Sequence, residues 1–253
     1  MKGNFFWYDI MTSDAKAAAK FYGDVVGWGT QDAGGGHDYT LFTVNGQGVA
    51  GLMPIPDEVA KQGAKPAWLG YIAVDDVDAA VEKIKKEGGA LHKGPIEVEG
   101  IIRFAVVSDP QGAVFYAAKG LSHEAPPEFP KGAPGTIGWR ELYAGEWKAA
   151  FAFYEKMFGW TKADAFDMGA MGMYQLFAAG AEPIGGMMTK PEAIPRPYWG
   201  YYFNVAAIDS AAERVKAGGG AVMMGPAEVP GGQWIVQCAD PQGAYFGLVA
   251  PKR

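Results

Sequence analysis

One passage is written twice in this chain. WYDIMTSDAKAAAKFYGDVVGW, residues 7–28, returns as WRELYAGEWKAAFAFYEKMFGW, residues 139–160, with Trp, an acid, Phe-Tyr and Gly-Trp at matching intervals. Trp7 and Trp139 lie 132 residues apart, as do Phe21 and Phe153, and DPQGA at 109–113 recurs at 240–244, an offset of 131. YTLF (39–42) matches YQLF (174–177), and GPIEVEG (94–100) matches GPAEVPG (225–231). A near-constant offset over more than 100 residues, broken only by small loop changes, is the signature of tandem duplication. The intervening GLSHEAPPEFPKGAPG (120–135) is rich in Pro and Gly, as a linker is. The expected organisation is two domains, 1–120 and 136–253, joined by a linker over 121–135.

Each half also contains two smaller units. NFFWYDIM (4–11) reads as a strand leading to Ser13 or Asp14 as a helix cap, after which Ala15, Ala18, Ala19 and Tyr22 share one helical face. Apolar runs punctuated by glycine follow at about 38–44 and 47–53. WLGYIAV (68–74) then meets Asp75 and Asp76, and Val77, Ala80, Val81 and Ile84 form the next helical face. Strands at IIRFAVVSD (101–109) and AVFYAA (113–118) close the unit, and Ile208, Ala211, Ala212 and Val215 mark the matching helix of the second half. A helix followed by several strands, four times over, predicts an α+β chain with mostly antiparallel sheet.

Composition narrows the partners. Hydrophobic residues make up 49% and charged residues 20%, a globular balance, and the net charge of −6 supplies no basic stripe for nucleic acid or an anionic membrane. No apolar run reaches the 18 or so residues of a membrane span. Asp9 interrupts the N-terminus too early for a secretory signal, and a single cysteine, Cys238, forms no internal disulfide. A cytoplasmic protein, monomer or homodimer, with a small-molecule partner is the expectation.

SDAKAAAKFYGDVVGW, then VDDVDAAVEKIKKEGG, then DPQGAVFY, in that order and in both halves, resemble the vicinal oxygen chelate superfamily of glyoxalase I, bleomycin-resistance proteins and extradiol dioxygenases. The likeness runs over essentially the whole chain and is nearest to the two-domain bacterial glyoxalase-like branch. It implies paired βαβββ modules in each domain, curling an eight-stranded sheet around a cavity. In metal-dependent members that cavity holds a divalent ion. The resemblance also implies where its ligands would stand: Trp7 and Trp139, then Leu69 and Gly200 (or Trp68 and Trp199 with a one-residue slip), then Tyr116 and Gly247. None is an ordinary ligand for zinc, nickel, iron or manganese, and an indole nitrogen only donates. Of the three histidines, His123 falls in the linker, His92 at a strand edge and His37 in a glycine-rich loop. No metal and no other cofactor is expected.

Because alternate residues of a strand share a face, Asp9 accompanies Trp7, and Glu141 accompanies Trp139. A carboxylate on an apolar face needs a partner, so Asp9 and Glu141 are candidates for acid–base catalysis. Alternatively, each accepts hydrogen bonds that pin its strand to the following helix. Trp7, Tyr71, Tyr116, Trp139, Tyr202, Asn204 and Trp234 are candidate ligand contacts, the aromatic ones with core filling as the alternative. Arg103 stands either against a ligand anion or against an acid at the rim, and Glu97 and Glu228 in the GP-x-E-V segments read as turn formers. The leading functional expectation is a metal-free protein binding a small aromatic or hydrophobic molecule. The alternative is an enzyme of this superfamily: a lyase or dioxygenase holding a divalent metal by unusual ligands, or a metal-independent acid–base catalyst. A third is an interaction module whose cavities are filled.

Overall fold

The computed structural model describes residues 2–34, 38–122 and 127–253, so His37, His123 and part of the expected linker lie outside it. In the first half β1 (Phe5–Thr12) leads into α1 (Ala15–Val26), β2 (Gly29–Asp32), β3 (Thr40–Val44) and β4 (Gln47–Pro54). After a short helix α2 (Asp57–Ala60), β5 (Ala67–Ala73) leads into α3 (Val77–Lys86), β6 (Ala90–Val98), β7 (Ile102–Ser108) and β8 (Val114–Gly120). The second half repeats the order with β9 (Ile137–Ala144), α4 (Trp147–Phe158), β10 (Thr161–Asp167), β11 (Met173–Ala178) and β12 (Pro183–Thr189). It ends with β13 (Tyr198–Asn204), α5 (Ile208–Ala217), β14 (Ala221–Val229), β15 (Gln233–Ala239) and β16 (Tyr245–Ala250). Each half forms one eight-stranded sheet, ordered β2-β3-β4-β1-β5-β8-β7-β6 and β10-β11-β12-β9-β13-β16-β15-β14. β1 with β4 and β5 with β8 pair in parallel, while the hairpin neighbours run antiparallel, so the expected α+β class holds.

Local chemistry explains the elements. Asp14 caps α1 by accepting from the Ala17 N–H at 2.9 Å, and Gly27 ends it in the left-handed conformation at φ 92°. The buried face of α1 is Ala18, Phe21, Tyr22, Val25 and Val26; of the four residues expected there, Ala18 and Tyr22 are buried and Ala15 and Ala19 half-buried, because the large side chains later in the helix set which side turns inward. α5 buries the four residues expected of it. The outermost strands β2, β6, β10 and β14 had no clear sequence signal. They are largely exposed and bond on one edge only, so they need no apolar alternation. Glu97 and Glu228 lie in β6 and β14 rather than in turns. The register of each strand shifts around its cis Gly-Pro pair, Gly94-Pro95 and Gly225-Pro226, since proline cannot donate to the ladder.

The chain forms two compact units, each built from one module of each half. One takes the described residues among 1–6, 69–125 and 140–199, and the other those among 7–68, 126–139 and 200–253. In the second of these, the Trp68 indole N–H donates to the Tyr22 hydroxyl at 2.9 Å, which donates to Asp240 Oδ2 at 3.0 Å. Asp240 Oδ1 accepts from the Gln242 and Ala244 amides, holding the DPQG turn. The first unit contains the same relay: Trp199 to Tyr154 at 3.0 Å, and Tyr154 to Asp109 Oδ2 at 3.2 Å, with Asp109 Oδ1 bonded to the Gln111 and Ala113 amides. Burial, followed by the charge of Asp240, pushes the Tyr22 hydroxyl well above the usual tyrosine range, and burial raises both carboxyls.

The two Gly-Trp pairs close the same circuit. Trp28 donates to the carbonyl of Gly135 and Trp160 to that of Gly3, each at 2.7 Å, so each indole anchors the chain just before the opposite half's first strand. Around them Tyr22, Trp28, Phe42, Trp68, Phe203 and Phe246 form one aromatic core, and Tyr154, Phe158, Trp160, Phe177 and Trp199 the other. The repeated Phe-Tyr and Gly-Trp motifs are therefore packing signals, each reaching a partner in the other copy of the repeat.

Candidate functional site

Alternation along β1 buries Tyr8, Ile10 and Thr12 on one side and turns Trp7, Asp9 and Met11 to the other. Asp9 is 1% exposed, yet Trp7 and Tyr39 beside it are only half-buried. Tyr39 donates to Asp9 Oδ1 at 2.7 Å, and the Trp7 indole N–H lies 3.0 Å from the same oxygen and 2.8 Å from the Tyr39 hydroxyl. Asp9 is registered opposite Gly51 of β4, where any Cβ would collide with both Asp9 and Tyr39. Gly48 lies under the edge of the indole, a Cβ there falling 3.2 Å from it. Two glycines thus make room for an indole, a phenol and a carboxylate locked together. Beside Tyr39 is a cavity of about 360 Å³, lined by the apolar Ala15, Leu52 and Pro54 together with the polar Asp32, Asp38 and Thr40.

The second half keeps the plan with different pieces. Glu141, 7% exposed, is registered opposite Gly186, and a Cβ on Gly186 would collide with the Tyr174 ring. Tyr143 stacks on Tyr198 with ring centroids 4.9 Å apart. Tyr39 and Tyr174 escaped the sequence reading as site residues, although both open the repeated Y-x-L-F segment. Their shared place at the head of that repeated segment was the available signal.

The remaining candidates divide by environment. Tyr71 and Tyr116, register partners on β5 and β8, stack at 4.0 Å, with Phe104 edge-on to both and Phe6 edge-on to Tyr71. At the matching place Tyr202 pairs with Gly247, its ring lying where a Cβ would stand, and Gln237 donates to its hydroxyl at 2.7 Å. Asn204 donates to the Thr136 hydroxyl at 2.8 Å, beside backbone bonds to Gly135 and Thr136. Arg103 grips the Asp78 carboxylate through Nε and Nη2, with Glu97 at 3.5 Å, the rim pairing that was one of its two readings. Trp234 carries the Arg253 guanidinium over its ring at 5.0 Å. Trp139 is half-buried at the start of β9. Trp68 and Trp199 belong to the relays, so the slipped register has no place on the Trp7 face. Cys238 is buried, and burial pushes its thiol up to about 12, which leaves it a packing residue.

The model of the Glyoxalase/Bleomycin resistance protein/Dioxygenase superfamily matches residues 4–115 and again 136–248. The chain belongs to that superfamily. CFP32 of Mycobacterium bovis, which carries a provisional glyoxylase name, is 35% identical over 248 residues, covering 97% of this chain and 94% of the relative. The anthracycline biosynthesis protein DnrV of Streptomyces peucetius is 32% identical over 259 residues, covering 96% and 91%. Among solved structures, a Mn(II)-bound glyoxalase from Novosphingobium aromaticivorans shares the fold with a TM-score of 0.70 at 16% identity, covering 99% of this chain and 82% of that one. The 2,3-dioxygenase LapB of Pseudomonas sp. KL28 does so at 0.64 and 12%, covering 99% and 93%.

A superfamily with a manganese-bound member raises the question of an ion here. The described residues do not fit one. Among the described residues no group of three or more His, Cys, Asp or Glu is placed to hold a metal. Trp7, Leu69 and Tyr116, with Trp139, Gly200 and Gly247, offer indole, alkyl, stacked phenol and hydrogen where electron-pair donors would be required.

Proposed function

We propose that this chain is a metal-independent member of the superfamily that binds a small, flat, apolar molecule against Trp7 and Tyr39. The observation that carries the reading is the locked Trp7–Asp9–Tyr39 group. An indole held by its N–H, half-buried and seated over glycine, is a pre-oriented stacking platform, and the adjoining phenol meets an oxygen of the ligand. The name of DnrV supports the ligand class, since anthracyclines are planar, oxygenated ring systems. Covering about 100 Å² of such a ring contributes roughly 2.5 kcal/mol.

The test is calorimetric titration with 1,8-dihydroxyanthraquinone as probe, alongside Trp7→Ala. Saturable binding, weakened roughly 30- to 100-fold in the variant, is the expected outcome. Equal affinity in both proteins would remove the platform. Stoichiometric nickel, zinc, iron or manganese in protein purified without a histidine tag would overturn metal independence. A second reading rests on the 2.7 Å Tyr39–Asp9 contact: the pair can pass a proton, which suits acid–base chemistry on the bound molecule. Asp9→Asn that keeps binding but stops turnover would select it.

A further inference from the structure

The side chains of Trp7, Asp9 and Tyr39 bring two polar hydrogens to their shared group, and both are used inside it. Tyr39 has a single hydroxyl hydrogen, which goes to Asp9 Oδ1 at 2.7 Å. Trp7 has a single indole N–H, shared between that same oxygen at 3.0 Å and the Tyr39 hydroxyl at 2.8 Å. Asp9 receives both hydrogens and is 1% exposed, so its carboxylate is kept from direct contact with a ligand. Tyr39 is half-buried, and with its hydrogen committed its oxygen meets a further group only as an acceptor. The neighbouring side chains on this sheet face are apolar. Gly51 is the register partner of both Asp9 on β1 and Leu41 on β3, and Met53 on β4 is that of Met11, so Leu41, Met11 and Met53 stand on the side of the sheet that carries the group. All three are half-buried, and alkyl and thioether groups pack on rings without offering a polar hydrogen. The place thus combines an apolar floor with a polar point that takes a hydrogen and gives none.

We propose that the group selects its flat ligand by a hydroxyl or N–H that donates to the Tyr39 oxygen, and that it discriminates against ketones, ethers and carboxylates at the same point. The inference rests on Trp7 and Tyr39 forming the binding platform, and it names the class of molecule that platform takes: a phenol or an aryl amine. A ketone or ether oxygen set against Tyr39 would place two acceptors face to face with no hydrogen between them, after both had lost water. A carboxylate would add repulsion from the buried Asp9. A ligand hydroxyl instead continues the chain of donors that runs through Tyr39 to Asp9.

Calorimetric titration of the full chain with 2-naphthol, 2-methoxynaphthalene and 2-acetylnaphthalene tests it, since these share a ring system and differ in the polar group. 2-Naphthol is expected to bind about tenfold more tightly than the other two, although methylation makes the ether the more apolar ligand. In Tyr39→Phe that preference should fall to within about twofold while the affinity for the ether is retained. Trp7→Ala should weaken all three, which reports on the platform separately. Equal affinities that Trp7→Ala still weakens would overturn the donor rule and leave the platform standing, as would a ketone that binds most tightly. A tenfold preference that survives Tyr39→Phe would place the acceptor elsewhere and overturn the assignment to Tyr39. Binding by none of the three would overturn platform and donor rule together.

Discussion

Tyr71 lies face to face with Tyr116 across β5 and β8, whereas Tyr202, at the same place on β13, lies on Gly247 with its hydroxyl held by Gln237. The two sites share a register, yet one is an aromatic stack and the other a phenol folded over a glycine. The Trp–Tyr–Asp relays contrast with this: Trp68–Tyr22–Asp240 and Trp199–Tyr154–Asp109 match atom for atom. The difference lies in what each residue answers to. A relay residue has buried polar partners, the Tyr–Asp contact joining the two halves of the chain, and changing it alone strands an indole N–H or a carboxylate. A position on the second sheet face, such as Tyr116 or Gly247, belongs to no such relay and can be exchanged for another shape that fills the same space. After duplication the relay positions were bound to one another, while the Tyr116 and Gly247 positions were left to diverge.

The hardest blow to that equivalence would come from the Gly-Trp indoles. Trp28→Ala and Trp160→Ala each remove a fully engaged core ring and leave a glycine carbonyl, Gly135 or Gly3, without its donor. Each should destabilise by about 3–5 kcal/mol, and the two losses should agree within about 1 kcal/mol. Urea denaturation of both variants decides it. A loss confined to one would mean the copies have ceased to be mechanically equal.

Gly247→Ala probes the diverged side. The new methyl group meets the Tyr202 ring, which must leave its place over the strand and its bond to Gln237. A cost of about 1–3 kcal/mol is expected, with a shift in the Tyr202 ring signals by NMR. A neutral result would show that the ring swings away at no cost, and the second half would then be as adaptable as an empty cavity.

Much of this was legible in one dimension. The constant offset marked the two halves, the order of helices and strands marked the modules within each, and alternation put Asp9 beside Trp7 and Tyr202 beside Asn204. An offset, however, identifies which residues correspond and not which copy each one touches. Nothing in the sequence said that Tyr22 would bond to Asp240, 218 residues away, instead of to Asp109 in its own half. The outer strands were missed for a different reason: GTQD at 29–32 is exposed throughout and held by backbone bonds to β3 alone. Tyr39 was visible only as part of a repeat, because its role depends on Gly51 being bare beneath it.

Acidity separates the relays from ordinary carboxylate contacts. Burial holds the Asp240 carboxyl above its usual range in the folded chain, despite the Tyr22 hydroxyl and backbone amides that favour its charge. The folded state therefore binds this proton more tightly than the unfolded state does. By linkage, the stabilisation from that proton is fully present below the unfolded carboxyl value, near 4, and is lost as pH rises through the folded one. Asp240→Asn deletes the titration but keeps an acceptor for the turn amides and a polar partner for Tyr22. The stability of the parent relative to this variant should grow as pH is lowered from neutrality towards 4, the reverse of a carboxylate held in a surface ion pair. Asp109→Asn should behave alike, since burial is the leading cause there too. A stability difference that shrinks on acidification would mean that the Tyr22 hydrogen bond outweighs burial, and the relay would then be a charged element of the core.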